Sequence, residues 1–148
     1  MPGDYVATSS ATVNAPPARV WDVITDPAAT REFMFGADLA TDWTVGGPIT
    51  WKGTWDGKDY KDKGVILEVE PGQGLVYTHF SPLGGHEDKP ENYHTLTWTL
   101  QDQGGTTLLV LSQDNNPSSE AAEHSKGMWD GLVADVKKIA ERGDSPTR

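Results

Sequence analysis

Cysteine is absent from this chain. That excludes disulfides, thiolate nucleophiles and cysteine-held metal. Basic residues are scarce: 12 Lys and Arg stand against 22 Asp and Glu, a net charge of −10. Phosphate backbones and anionic lipids repel such a chain, so neither nucleic acid nor a membrane surface is an expected partner. No apolar run approaches the ~20 residues that span a bilayer. The first five residues, Met1 to Tyr5, lack the basic segment and apolar run of a signal peptide. A cytoplasmic location is the expectation. Internal repeats, low-complexity tracts and linker-like shifts of composition are also missing. The 148 residues suit one domain, 1–148, with its core over about 5–142.

What the chain does have is tryptophan, in segments that set the architecture. A β-prone stretch over residues 5–13 ends at Asn14-Ala15-Pro16-Pro17. Proline is tolerated in the first helical turn, whose amides lack partners anyway. The spacing of Val20, Val23 and Ile24, with Trp21 beside them, predicts a short helix over about 16–25. Asp26 as cap and Pro27 at the first position predict a second, through about Phe33. The period then changes to two. Ile49, Trp51, Gly53 and Trp55 alternate with polar residues, and Asp56-Gly57 signals a tight hairpin. A return strand is read through Val65, Leu67 and Val69 on one face. Leu75, Tyr77 and His79 share a face of the next strand, and Leu96, Trp98 and Leu100 of another. A polar loop over about 81–92 separates these two strands. Gln103-Gly104-Gly105 turns the chain into Leu108 to Leu111. From Glu120 to about Arg142 the period is helical, with Trp129, Val133, Val136 and Ile139 in one stripe widened by Met128, Leu132 and Ala140. Gly127 and Gly131 flank Trp129. They either permit close approach of a strand or are simply tolerated.

The order is strand, two short helices, antiparallel meander, long helix. A sheet with one apolar face must cover it, and the terminal helix is the only large element available. The expected class is α+β, with a curved antiparallel sheet wrapped around the C-terminal helix.

Several motifs resemble the heat-shock protein 90 ATPase activator homologue family of the START-like, birch-pollen-allergen-like SRPBCC superfamily. They are Ala15-Pro16, Val20-Trp21, Thr25-Asp26-Pro27, Val45-Gly46-Gly47, the run from Gly64 to Pro71, Leu75-Val76-Tyr77-Thr78, and Trp129 with its following apolar residues. Their order and spacing cover about residues 5–142. Two departures stand out. Glycine is displaced from the position directly before Trp129, and His79 replaces a frequent aromatic, which makes that point more polar. The resemblance implies a helix-grip fold with a cavity between sheet and helix, and a stress-response association by name. It does not imply one activity.

Chemistry-bearing residues are sparse. The histidines are His79, His86, His94 and His124. None stands in His-x-x-x-His spacing, so no metal is expected, and no cofactor. His79 is either a histidine satisfied by backbone or a hydrogen-bonding, acid–base group in the pocket. Tyr77 reads as core more readily than as catalytic, and His94 as solvent-facing. Gly-Gly pairs lead into no lysine-bearing helix, so there is no P-loop, and no Gly-x-Ser-x-Gly elbow occurs. Glu87, Asp88 and Glu91 read as solvated surface. The ligand cavity is expected to be lined by Trp51, Trp55, Leu67, Tyr77, His79, Trp98, Met128 and Leu132. The favoured function is binding of a hydrophobic or aromatic small molecule there. An enzyme of cyclase, dehydratase or hydrolase type is one alternative, without a recognisable acid–base pair. A co-chaperone or protein-interaction module is the other. A chaperone partner is disfavoured because the chain corresponds to one domain, without the additional chaperone-binding domain of the eukaryotic activators. Oligomeric state and catalytic residues are left open.

Overall fold

Proline, glycine and the two hydrophobic periods divide the chain much as expected. The computed structural model describes residues 5–34, 36–81 and 87–142. Strand β1 (Tyr5–Val13) leads into α1 (Pro17–Ile24) and α2 (Pro27–Phe33). Asp26 caps α2, its carboxylate accepting from the Ala28 amide at 3.0 Å. The strands β2 (Asp38–Thr41), β3 (Pro48–Trp55), β4 (Lys58–Glu70), β5 (Gly74–His79), β6 (His94–Asp102) and β7 (Thr107–Asn116) follow, and α3 (Ser119–Ala140) closes the chain. Strand β2 is an addition to the sequence reading. Four residues with one half-buried leucine give no clear alternation, and pairing with β3 supplies the order instead.

All pairings are antiparallel, in the order β1-β7-β6-β5-β4-β3-β2. The meander from β2 to β7 is thus completed by β1 lying beside β7. Its inner face carries Leu75, Leu96, Trp98, Leu109 and Leu111, all buried. Against it α3 buries Trp129, Leu132, Val133, Val136 and Ile139. This is the helix-grip arrangement. Ser118 caps α3 by accepting from the Ala121 amide at 3.1 Å, and Lys137 and Lys138 sit in its last turn, where the helix dipole favours cations.

The curvature concentrates in β4. Its first half pairs with β3 from Lys58 to Val65, and its last residues pair with β5. Between Ile66 and Glu68 the register shifts, so Leu67 is an extra, bulged residue. Before the bulge the even-numbered residues Tyr60, Asp62, Gly64 and Ile66 point inward; after it Val69 does. Val65 and Leu67 therefore face outward, 40% and 42% exposed. The alternation of Val65, Leu67 and Val69 suggested one shared inner face, and the bulge breaks that pattern. Gly64 allows the strands to meet here. A Cβ at this position would lie 1.7 Å from the Thr78 carbonyl oxygen. The Asp56-Gly57 hairpin forms as expected, with φ of 51° and 76°, the positive values a tight primed turn requires.

Candidate functional site

The inward-pointing half of β4 faces a gap between the sheet and the first half of α3. Beneath that gap the interior is filled. Trp98 donates from its indole nitrogen to the Tyr77 hydroxyl at 3.0 Å, both buried. Phe33 of α2 meets the Trp98 ring edge-on at 6.4 Å. Burial pushes the Tyr77 phenol up to about 12, so it stays protonated at neutral pH. Leu132 is 2% exposed and belongs to the same packed interior.

Above this floor opens a pocket of about 480 Å³. Its apolar wall is made by Met34, Trp51, Met128 and Trp129. Its polar wall is made by Asp56, Lys58, Tyr60, Asp62, His79 and Ser81. Register explains the division. Trp51 of β3 and His79 of β5 both point inward, and their rings meet edge-on at 5.1 Å. Trp51 also leans on Tyr77 at 5.2 Å, which ties pocket wall to core. On α3, Trp129 turns toward the sheet and donates to the buried Gln113 Oε1 at 2.9 Å. Met128, one residue earlier, stands 42% exposed at the rim.

The polar wall centres on one pair. His79 Nε2 lies 2.9 Å from Asp62 Oδ2, with side chains 15% and 13% exposed. An ionised carboxylate only accepts, so Nε2 carries the hydrogen. The second nitrogen, Nδ1, and the second oxygen, Asp62 Oδ1, are buried without a hydrogen-bond partner. Tyr60 adjoins them, its hydroxyl held above the usual range first by burial and then by the negative charge of Asp62. Its ring fills the space that Gly53 leaves on β3, where a Cβ would come within 2.7 Å of the hydroxyl. Beyond Ser81 the segment from Glu87 is fastened to the sheet. Asp88 is ion-paired with Lys63 and accepts from the Tyr93 hydroxyl at 2.6 Å, and Tyr93 stacks on Phe80. The acidic surface residues are thus partly ion-paired, with Glu87 also meeting Lys89.

Of the residues expected to line the cavity, Trp51, His79 and Met128 come together at this pocket. Tyr77, Trp98 and Leu132 lie in the packed floor and core instead. Leu67 is on the opposite face of the sheet, next to the inward Ile66. Trp55 ends β3, but its side chain lies outside the described residues, as does His86. His94 is not simply solvent-facing, since its Nδ1 meets the Asp114 carbonyl oxygen at 2.9 Å. Asp62, Tyr60 and Lys58 are not among the expected lining residues, because charged residues and a tyrosine set among them on a strand look like its solvated face. Their even-number alternation with Gly64 and Ile66 was the available signal. Among the described residues no group of three or more His, Asp or Glu is arranged to hold a metal ion. No helix among them is long and apolar enough to cross a membrane.

Comparison with known proteins agrees with this geometry. The family model described as "Activator of Hsp90 ATPase homolog 1-like protein" matches residues 14–141. The solution structure of ChR145 from Cytophaga hutchinsonii is 40% identical, covers 95% of this chain and 97% of its own, and superposes with a TM-score of 0.83. The Aha1 dimer from Colwellia psychrerythraea is 15% identical, with 95% and 98% covered and a TM-score of 0.73. Ara h 8.0201 is 13% identical, with 92% and 97% covered and a TM-score of 0.69. These last two share the fold. No curated protein matches.

Proposed function

Because this chain belongs to the activator of Hsp90 ATPase homologue 1-like family, we propose that it binds a hydrophobic or aromatic small molecule in the pocket between the sheet and α3. The supporting observation is the pocket itself. Its volume of about 480 Å³ suits a small-molecule site, and two indoles and two methionines form one wall. Indole faces offer rigid apolar area at low conformational cost, and methionine adapts to irregular shapes. Trp51, His79, Met128 and Trp129 are the expected contact residues, with Met34 and Tyr60 beside them. The apolar wall supplies most of the affinity, and the polar wall fixes the ligand's orientation.

The partner is thus a small molecule. A charge of −10 disfavours nucleic acid and anionic lipid. A reducing, cytoplasmic setting fits a chain free of cysteine. The test is a titration followed by tryptophan fluorescence, with a panel of flavonoids, fatty acids and aromatic polyketides. Trp51 and Trp129 line the pocket, so a true ligand changes emission saturably and with a stoichiometry of one. A panel without any saturable response contradicts the proposal.

A further inference from the structure

We propose that the outer face of β4 docks a second copy of this chain, the two β4 strands lying antiparallel across a two-fold axis. This surface is on the far side of the sheet from the pocket and stands whether or not the pocket is filled. Its centre is apolar. Among the described residues, six large hydrophobic side chains are exposed, and three of them converge here: Val45, Val65 and Leu67, 61%, 40% and 42% exposed. Val65 and Leu67 are outward neighbours on β4, and the Gly46 amide, next to Val45, donates to the Ile66 carbonyl at 2.8 Å. Val76, opposite Glu68 on β5, is half-buried and points the same way. Apolar residues scattered singly are ordinary, whereas a cluster with a charged rim marks an interaction surface.

Charge selects the partner. The outward residues of β4 read Lys61, Lys63, Val65, Leu67, Glu68, Glu70: two cations, two apolar residues, two anions. Turned end for end, this row is its own complement. A two-fold axis lying between the sheets, at the point between Val65 and Leu67, sets Lys61 against Glu70 of the other copy and Lys63 against Glu68, and does so twice. An isologous contact requires this kind of self-complementarity. Sheets stacked face to face at the usual ~10 Å bring the outward side chains of both into contact. The row itself is neutral in a chain of net charge −10, so association here is not opposed by local repulsion.

The charges are also available. Lys61 stands directly opposite Lys52 of β3 on the same face, and like charges so placed repel. The carboxylates around them are engaged: Asp38 pairs with Arg31, and Asp59 accepts from the Thr54 hydroxyl at 2.9 Å. Lys63 is shared with Asp88. Among the described residues, Lys52, Lys61, Glu68 and Glu70 form no ion pair. Carboxylates of a second copy relieve the lysine pair. An unrelated acidic partner meets the lysines but leaves Glu68 and Glu70 facing like charge.

Sedimentation equilibrium of the full chain over a series of concentrations tests this. The wild type should pass from monomer to dimer as concentration rises. Leu67→Asp, Lys61→Glu and Glu70→Lys should each weaken the dimer at least ~tenfold, because every change is felt twice across the axis. All three positions are exposed strand surface, so thermal melts should stay near the wild type. An equimolar mixture of Lys61→Glu with Glu70→Lys should regain wild-type affinity, since each copy then meets the opposite charge at both ends. Loss of folding cannot produce two variants that are separately monomeric and associate when mixed. A wild type that stays monomeric at every concentration overturns the proposal. So does a dimer indifferent to the three substitutions, and so does a mixture that remains dissociated.

Discussion

The indole nitrogen of Trp98 donates to the hydroxyl of Tyr77 at 3.0 Å, and both residues are buried. This contact decides where the cavity lies. Two aromatic rings from neighbouring strands, joined by a hydrogen bond and backed by Phe33, fill the middle of the grip. The open space is thereby displaced toward β3, β4 and the first half of α3.

Replacing Tyr77 by phenylalanine tests that floor. The substitution keeps the ring and leaves the Trp98 N–H without its acceptor. The expected loss is about 1–3 kcal/mol of stability, measured by denaturant unfolding. A second signature is alkaline. The folded-state pKa is raised, to about 12 against 10.0. The phenol's contribution is therefore intact below the unfolded value and is lost as pH rises from about 10 through 12. The wild type should lose stability across that window more steeply than the phenylalanine variant. Parallel curves would count against burial of the hydroxyl.

The glycines divide into two kinds. At Gly127 and Gly131 an added Cβ meets nothing within 4 Å. No strand approaches there, so the close-approach explanation for these glycines fails. Gly127→Ala and Gly131→Ala should each raise stability by up to about 1 kcal/mol, the usual helix-interior difference. Gly64→Ala should do the opposite, costing about 2 kcal/mol or more, because its Cβ would collide with the Thr78 carbonyl. Thermal melts of the three variants check both signs at once.

Trp129 joins core and pocket. The residue is 5% exposed and its indole N–H donates to Gln113. Trp129→Ala should cost about 3–5 kcal/mol. A melt that matched the wild type would contradict its placement.

Sequence carried most of the fold here. The cap at Asp26, the Asp56-Gly57 turn and the Trp129 stripe each announce their element through local chemistry that the tertiary structure does not override. The site was less legible. Asp62 and Tyr60 lie on the inward register of β4 between the exposed Asp59, Lys61 and Lys63, and polar residues on both faces hide which one is inside. Leu67 is misplaced by an unbroken period of two: it follows the inward Ile66 and faces outward, and the bulge returns only Val69 to the inner face. Trp98 and Trp51 look alike in the sequence, both inward on strands and both large. Only the packing of Phe33 and Tyr77 around Trp98 makes one floor and the other wall.

That misplacement gives a paired prediction. Leu67→Ala alters the outer face of the sheet and should leave ligand affinity unchanged. Met128→Ala removes a rim contact and should weaken it by roughly 1 kcal/mol, about one buried methylene or slightly more. Dissociation constants from fluorescence titration distinguish the two. Equal effects would mean that the pocket has been drawn on the wrong side of the sheet.

The central claim is that a ligand sits between Trp51 and Trp129, above a floor that it does not enter. Two-dimensional nitrogen–proton NMR reads this directly, because each tryptophan reports through its own indole N–H. On titration with a saturating aromatic ligand, the Trp51 and Trp129 signals should shift together with backbone amides near Asp62, His79 and Met128. The Trp98 indole and the amides of Val65 and Leu67 should stay in place. Shifts centred on Trp98, or spread evenly over the sheet, would contradict the account.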